Sequence, residues 1–393
     1  MENFEFESPT HFAFGRESEK RTGALVKAFG GTKALLHFGG GSVKASGVYD
    51  KVVKSLDEAG VAHIPLGGVK PNPREALVRE GIDIVRREKI DFILAVGGGS
   101  VVDSSKAIAF GALYDGDFRD FTFGKDCKKP PIVTSALPIG VVLTIAAAGS
   151  EGSCNCVISL EPRNLKRTIT GDRLRPRFAV MNPEFTFTLP PYQTACGLVD
   201  IFAHIVERYF TPTRDVLATD ELCEALMRTV VAESGAVMRN PADYSARANI
   251  MWAGTLAHNN VCGVGRAQDW ASHGIEHELS ALYDCAHGAG LAVVMPAWME
   301  FVMPADVGRF ARFAAKVWGV ADGDSAEMAK EGLARYRAWL KSLGMPATIS
   351  ELGGKREDIP LLAANLGLKE GQTLGTFRKL STADVETILG LCA

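Results

Sequence analysis

No uninterrupted run of about 20 apolar residues, the length a membrane-spanning helix needs, occurs in this chain; glycine, proline or charge breaks each long hydrophobic stretch. The start, Met1-Glu-Asn-Phe-Glu-Phe-Glu7, is acidic and lacks the basic n-region of a signal peptide. Blocks of Lys and Arg with interleaved aromatics are missing too, and the formal net charge is −3, so nucleic acid is not an expected partner. Among eight cysteines, at 127, 154, 156, 196, 223, 262, 285 and 392, there is no Cys-x-x-Cys pair. Cys154 and Cys156 are too close in sequence to form a zinc knuckle by themselves. The cysteines read as reduced, mostly buried small hydrophobes, which places the protein in the cytoplasm by expectation and off the membrane. Internal repeats, low-complexity segments and the G-x-G-x-x-G dinucleotide fingerprint are also absent.

What is present is the composition of an ordinary globular enzyme, 47% hydrophobic and 23% charged, in a 393-residue chain long enough for two cores. The first half alternates short β-type runs with helical ones. Strands are expected at 32–38, 61–66, 91–96 and 131–136. Helices are expected to follow Gly39-Gly-Gly-Ser42 through residue 59, over 72–88 with Pro73 in an early helical position, and from Gly97-Gly-Gly-Ser100 to residue 113. Such alternation implies a parallel sheet with right-handed crossovers. Beyond Pro190-Pro191 a 3.6-residue periodicity dominates, with helices expected over 193–210, 216–239, 244–260, 268–283, 291–302, 307–318 and 325–343. The expected division is an α/β domain over 1–188 and a helical domain over 189–393.

Within the helical half, Asp200 and His204 stand at an i, i+4 spacing that puts both on one helical face. His273, His277 and His287 crowd three of the eight histidines into fifteen residues. Asp200, His204, His273 and His287 offer one carboxylate and three imidazoles, which suits a divalent metal of intermediate softness such as iron or zinc. Any one of these histidines alone is equally what a surface helix or a satisfied core imidazole produces. Cys196 and Cys285, beside the proposed ligands, leave a thiolate ligand open.

Two Gly-Gly-Gly-Ser runs each follow an apolar strand and open a helix. In Ala95-Val-Gly97-Gly98-Gly99-Ser100-Val-Val-Asp103 the glycines let backbone approach a pyrophosphate, and the helix amino terminus supplies N–H groups and positive dipole. A plain strand–helix turn would look the same. At Gly39-Gly40-Gly41-Ser42, with Lys44 close by, no carboxylate stands where NAD enzymes commonly bind the adenosine ribose. A hydroxyl, N–H groups and an ammonium there favour NADP over NAD.

These stretches, with Pro71-Asn-Pro73, Thr144…Gly149-Ser-Glu151, Leu189-Pro-Pro191, Gln268-Asp-Trp-Ala-Ser-His273 and His277…His287, run in order from near the amino terminus to about residue 300. The chain resembles the iron-containing (group III) alcohol dehydrogenases, most closely their NADP(H)-dependent butanol dehydrogenase/aldehyde reductase branch. The resemblance implies the dehydroquinate synthase-like fold, a Rossmann-like α/β domain plus an all-α domain with the active site in the cleft between them. It implies Asp200, His204, His273 and His287 as metal ligands, with Fe(II) the first choice and zinc, nickel or cobalt acceptable. It implies pyrophosphate on Gly97, Gly98, Gly99 and Ser100, a 2′-phosphate among Gly40, Gly41 and Ser42, and Asp103 beside the nicotinamide. Thr144 matches a cofactor-contacting threonine and Lys166 a lysine near the nicotinamide ribose. A homodimer follows from the same likeness, and the alternation of residues 3–15 suits an edge strand pairing across an interface.

The likeness has departures. Ala146 stands where the branch usually has proline, and Ala148 where it has threonine, removing a hydroxyl and some loop rigidity. The expected chemistry is reversible reduction of small aldehydes to primary alcohols, with the metal as Lewis acid and His277 as candidate proton relay or as an orienting residue. Apolar or neutral residues near the ligands in sequence (Phe202, Trp270, Leu282, Trp298) favour uncharged aldehydes over the phosphorylated acid of a dehydroquinate synthase-type lyase. NAD-dependent glycerol or polyol oxidation is a closer alternative, disfavoured by Gly40 and His273. A non-catalytic sensor would be expected to show a degraded ligand set or phosphate loop.

Overall fold

The computed structural model describes residues 1–122, 132–161 and 164–393. Internal packing divides the chain into two compact units. One comprises Glu7–Leu189 with Pro241–Thr255, the other Met1–Phe6 with Pro190–Asn240 and Leu256–Ala393.

The strands of the first unit are β1 (His11–Phe14), β2 (Lys33–Phe38), β3 (Ala62–Leu66), β4 (Phe92–Gly97), β5 (Ile139–Leu143), β6 (Asn155–Leu160), β7 (Leu165–Thr170) and β8 (Phe178–Met181). Its early helices are α1 (Thr22–Ala28), α2 (Ser42–Ala45), α3 (Val48–Glu58), α4 (Glu75–Glu88) and α5 (Gly99–Gly111). Six strands form one parallel sheet in the order β1-β8-β5-β4-β2-β3. β2 and β4 are nearly continuous apolar runs because both faces are covered. On one face Leu36, Phe38, Phe92 and Leu94 pack with Val26, Val52 and Leu56 of α1 and α3. On the other, Leu35 and Ile93 pack with Val78, Ile82 and Ile108 of α4 and α5.

Three expectations change. Of the strand expected at 131–136, Pro131 lies outside the described residues, and Ile132 makes only an isolated bridge to Thr170. The sheet instead takes β5, Ile-Gly-Val-Val-Leu, whose uniformly apolar residues are all buried, as a central parallel strand requires. The helix expected from residue 72 begins at Glu75, because Asn72 is left-handed (φ 55°) and Arg74 is extended. That extended segment bonds to β6 instead, the Ser159 amide donating to the Pro73 carbonyl at 2.8 Å. The helix expected through residue 59 is broken into α2 and α3 at Gly47, whose φ of 74° suits glycine. The antiparallel β6–β7 hairpin and the outer β1–β8 pair were not expected.

The later helices are α6 (Pro191–Tyr209), α7 (Leu217–Arg239), α8 (Tyr244–His258), α9 (Ala271–Tyr283), α10 (His287–Val302), α11 (Val307–Trp318), α12 (Ser325–Ser342), α13 (Ile359–Asn365) and α14 (Thr382–Leu391). Except for α8 up to Thr255, they belong to the second unit. α6 is buried from Thr194 to Tyr209, on every face, as a central helix must be. It packs against α7 and α10, and α10 packs against α9. By length and composition His287–Ala305 could cross a membrane, yet 72% of its 18-residue apolar stretch is buried inside the protein. α10 starts before the expected residue 291, and α9 starts after the expected residue 268 because Trp270 is left-handed (φ 77°).

Candidate metal centre and coenzyme loop

The buried core of the helical unit brings charged and ring nitrogen groups together. α6 contributes Asp200 and His204, α9 His273 and α10 its first residue, His287. Close approach of the helices explains the glycines that follow His287. A Cβ on Gly288 would lie 2.1 Å from the Cys196 carbonyl oxygen of α6, and one on Gly290 would lie 2.7 Å from Glu276 Oε1 of α9. Glycine at both positions lets the start of α10 press against the two helices that carry the other groups.

Asp200 Oδ1 is the centre of the cluster. His204 Nδ1 lies 2.9 Å away, His287 Nε2 3.7 Å and His273 Nε2 4.0 Å. Despite these neighbours, Asp200 Oδ1 and both ring nitrogens of His273 are buried with no hydrogen-bond partner among the described residues. Buried polar atoms are nearly always paired, so orphaned donor atoms that face one another mark a site built for something else. Ligand atoms of Asp200, His204 and His273 all lie within 4.8 Å of one another, the spacing of a metal-binding group. Burial pushes the Asp200 carboxyl up, but His204, His287 and His273 outweigh it and bring it down to about 2. Burial, with His204 and His287 nearby, holds His273 well below the ordinary histidine value. An ionised carboxylate beside a neutral imidazole is the protonation state that metal ligation needs.

Groups behind the ligands orient them. His204 Nδ1 lies 2.8 Å from the Asp200 carbonyl oxygen, which leaves Nε2 as the free ring donor. Glu276, fully buried, bonds His287 Nδ1 and also accepts the Ser280 hydroxyl. Glu207 accepts the His273 amide at 2.9 Å and lies 3.3 Å from His273 Nδ1. Burial pushes Glu207 up to about 7, and burial together with the Glu207 charge pushes Asp269 up to about 6. Asp269 in turn accepts the amides of Ala271, Thr376 and Phe377, tying the start of α9 in place.

Three further residues complete the surroundings. The His258 ring is 4.1 Å from that of His204, and His258 Nδ1 is 3.1 Å from Arg208 Nη2. The Trp270 ring packs against His204, His258 and His273, with the Arg208 guanidinium 4.5 Å above it. His277 forms a second close group with Glu276 and His287, its ring 5.7 Å from that of His287. Phe202 and Trp298, expected near the ligands, instead join aromatic cores, Phe202 with Phe313, Tyr336 and Trp339, and Trp298 with Phe210 and Phe377. The reason is geometric: Phe202 is two residues from Asp200 and points off another side of α6. Burial pushes the Cys196 thiol up to about 11.

In the α/β unit, Gly97 ends β4, Gly98 caps α5, and Gly99 and Ser100 open it. The loop is walled closely: a Cβ on Gly98 would lie 2.1 Å from Ile145 Cγ2, and one on Gly99 3.3 Å from the Ala148 Cβ. The Thr144 amide donates to the Gly97 carbonyl at 3.0 Å, joining the end of β5 to the loop. A half-buried, glycine-lined helix amino terminus of this length fits an anionic group. Gly40 and Gly41, between β2 and α2, and Ser42, which opens α2, are exposed, and a Cβ on Gly40 or Gly41 would meet nothing within 4 Å. The Lys44 ammonium lies 5.2 Å from the Phe38 ring centre and 5.1 Å from that of Tyr49, held at the same edge. Asp103 already accepts the Ser150 hydroxyl at 2.6 Å and the Val157 amide at 2.9 Å. Burial raises the Asp103 carboxyl, opposed mainly by the Lys106 charge and least by that of Lys166, which is buried on β7.

Glu207, Glu276 and Lys106, which the sequence reading passed over, each lie three residues beyond a group it named (His204, His273 and Asp103). That i, i+3 spacing shares a helical face and was the available signal. His258 has no such signal, since only the tertiary fold brings it to His204.

Comparison with known proteins agrees across nearly the whole chain. The family described as iron-containing alcohol dehydrogenase matches residues 9–183, and its C-terminal family, described as Fe-containing alcohol dehydrogenase family, C-terminal, matches residues 194–391. NADH-dependent butanol dehydrogenase A of Clostridium acetobutylicum is 39% identical, with 98% of each chain covered. NADPH-dependent aldehyde reductase YqhD of Escherichia coli is 36% identical over 93% of each. The crystal structure of NADH-dependent butanol dehydrogenase A from Thermotoga maritima superposes with a TM-score of 0.95 at 42% identity, covering 100% of this chain and 99% of that one. This chain belongs to the iron-containing alcohol dehydrogenase family of oxidoreductases.

Proposed function

We propose that this protein interconverts small aldehydes and primary alcohols of the butyraldehyde/butanol type with NADP(H). The reaction would take place at a divalent metal, Fe(II) first, held by Asp200, His204, His273 and His287. The observation that carries the reading is the buried Asp200 Oδ1, which has no hydrogen-bond partner among the described residues and lies within 4.0 Å of ring nitrogens of His204, His287 and His273. Bound there, a divalent cation supplies Lewis acidity toward the substrate oxygen, and a nicotinamide coenzyme supplies or accepts the hydride.

The rest of the work belongs to the chain. Glu276 and Glu207 hold His287 and His273 in position before substrate arrives, which spares reorganisation during the reaction. The Trp270 ring packs against His204 and His273 and would help keep water from them. His277, next to His287 and only half-buried, would relay a proton through its ring nitrogens to solvent. Gly98, Gly99 and Ser100 offer amide groups to the pyrophosphate, with Asp103, Thr144 and Lys166 toward the nicotinamide side.

The coenzyme preference rests on residues of this chain alone, because two of the three relatives named above are named for NADH and one for NADPH. Gly40, Gly41, Ser42 and Lys44 leave room and positive charge for a 2′-phosphate. The same family likeness supports a homodimer, and β1, an edge strand with one sheet neighbour, is the element that would pair.

The test is an anaerobic assay of butyraldehyde-dependent NADPH oxidation by metal-stripped protein, repeated after adding Fe(II) or Zn(II). Metal-restored activity, higher with NADPH than with NADH, is the expected result. Activity indifferent to metal would overturn the ligand assignment, and equal or better use of NADH would overturn the coenzyme preference.

A further inference from the structure

Among the described residues of the α/β unit, Lys106 is the most completely enclosed cation. It lies on α5, three residues after Asp103, and its side chain is fully buried. The ammonium donates to five oxygens: Ser150 O at 2.7 Å, Ser150 Oγ at 2.8 Å, Ser153 O at 3.0 Å, Ser153 Oγ at 3.2 Å and Asn155 O at 2.7 Å. All five belong to one short segment, which bends through a 3-10 turn at Ser150–Gly152 before entering β6. Removing an ammonium from water is expensive, and an apolar residue usually fills a helix–strand interface at lower cost. A lysine placed there does what an apolar residue cannot, gathering backbone carbonyls that point at one spot.

The segment it gathers borders the coenzyme loop. Ser150 Oγ accepts from Lys106 and donates to Asp103 Oδ1, a continuous chain from cation to carboxylate. The residues just before the segment carry Ile145 and Ala148, which wall Gly98 and Gly99. Glu151 is fixed as well, accepting the Thr255 hydroxyl at 2.5 Å. With every ammonium proton engaged, Lys106 is not available as a base or nucleophile.

We infer that Lys106 is a positioning residue for the coenzyme site, an internal tethered cation. It holds residues 150–155, and through Ser150 the Asp103 carboxylate, in register with the glycine loop. The inference rests on the coenzyme reading above. Five oxygens at 2.7–3.2 Å also form the shell a free ammonium or potassium ion prefers, so the role is open to chemical rescue.

The experiment is fluorescence titration of NADPH into metal-free wild type, Lys106→Ala and Ser150→Ala, with folding checked by cooperative thermal melting. Lys106→Ala should weaken NADPH binding about tenfold or more, the scale of a lost charge-assisted hydrogen-bond set. Ammonium or potassium should restore most of it, and tetramethylammonium, too large for the shell, should not. In the metal-loaded enzyme the KM for NADPH should rise more than the KM for butyraldehyde. Ser150→Ala, which keeps the cation but cuts the link to Asp103, should weaken NADPH binding severalfold. A folded Lys106→Ala protein that binds NADPH within about twofold of wild type overturns the inference, as does a loss that neither ion restores. If Lys106→Ala does not fold, Ser150→Ala decides, and unchanged binding overturns the link. Failure of wild type to bind either NADPH or NADH would instead sink the coenzyme reading itself.

Discussion

Replacing Glu276 with Gln tests whether the carboxylates behind the histidines set metal affinity. Glu276 is fully buried, bonds His287 Nδ1 through Oε2 and accepts the Ser280 hydroxyl through Oε1. Glutamine has nearly the same shape, so the packing against Gly290 is kept and only the charge is lost. Its amide oxygen can still accept from His287 Nδ1, while its amide nitrogen can donate to the Ser280 oxygen. The bond therefore survives in neutral form, at about half the strength of the charge-assisted one. Losing about 1.4 kcal/mol corresponds to a tenfold weaker metal site, the lower end of the roughly 10–100-fold range for such outer partners. Glu276→Ala, which leaves His287 Nδ1 without this acceptor, should fall nearer the upper end. The assay is competition between metal-free protein and a chromophoric chelator for Zn(II) at neutral pH, with melting curves to show the variants are folded. A Gln variant that holds zinc as tightly as wild type would refute the idea that this carboxylate tunes His287.

Three other changes have defined outcomes. His277→Phe should lower turnover while the metal content stays that of wild type; metal loss on elemental analysis would rule out the relay and make His277 part of the metal's support. His37 is buried between the Leu66 carbonyl and the Ser104 hydroxyl, and burial holds it down at about 4 against an ordinary 6.5. Between those values the unfolded chain binds a proton the fold refuses, so stability falls on acidification, by at most about 3 kcal/mol. Urea midpoints of His37→Gln should depend less on pH across that window than those of wild type, and an unchanged dependence would contradict the assignment. Gly40→Asp has open space for its side chain and no left-handed backbone to strain. It should raise the KM for NADPH by about tenfold or more through repulsion of the 2′-phosphate and leave NADH less affected; equal effects on both coenzymes would remove Gly40 from the specificity argument.

Local periodicity made much of this molecule legible. β2 and β4 announce themselves as apolar runs bounded by glycine, and Asp200 and His204 share a face by spacing alone. What escaped depends on partners distant in the chain. β1 falls within the alternating stretch 3–15, but spacing could not say that its neighbour in the sheet is β8, Phe178–Met181. β7, Leu-Lys-Arg-Thr-Ile-Thr, carries too much polarity to read as a strand until β6 pairs with it. Residues 72–74 looked helical because the competing bond, from Ser159 to Pro73, comes from a strand far along the chain. At the site, histidines drew notice as metal ligands, whereas Glu207 and Glu276 were passed over. The i, i+3 spacing hinted at a shared face, and burial shows that each stands behind an imidazole. The role of Phe202 was misread for the converse reason, since nearness in sequence to Asp200 does not mean nearness in space.

Because the chain leaves the α/β unit at Leu189 and supplies it again over Pro241–Thr255, a gene divided at the Pro190-Pro191 junction would not yield two whole parts. A fragment ending at residue 189 would lack Trp252, whose ring packs edge-on against Phe12 and Phe14. It would also lack the Thr255 hydroxyl that satisfies buried Glu151, and Met251 from the core around Ala179 and Met181. Such a fragment would expose sticky aromatics at a sheet edge and tend to aggregate. A soluble truncation would have to graft residues 241–255 back through a linker, and library designs that swap halves between relatives should exchange this helical insert together with the first half.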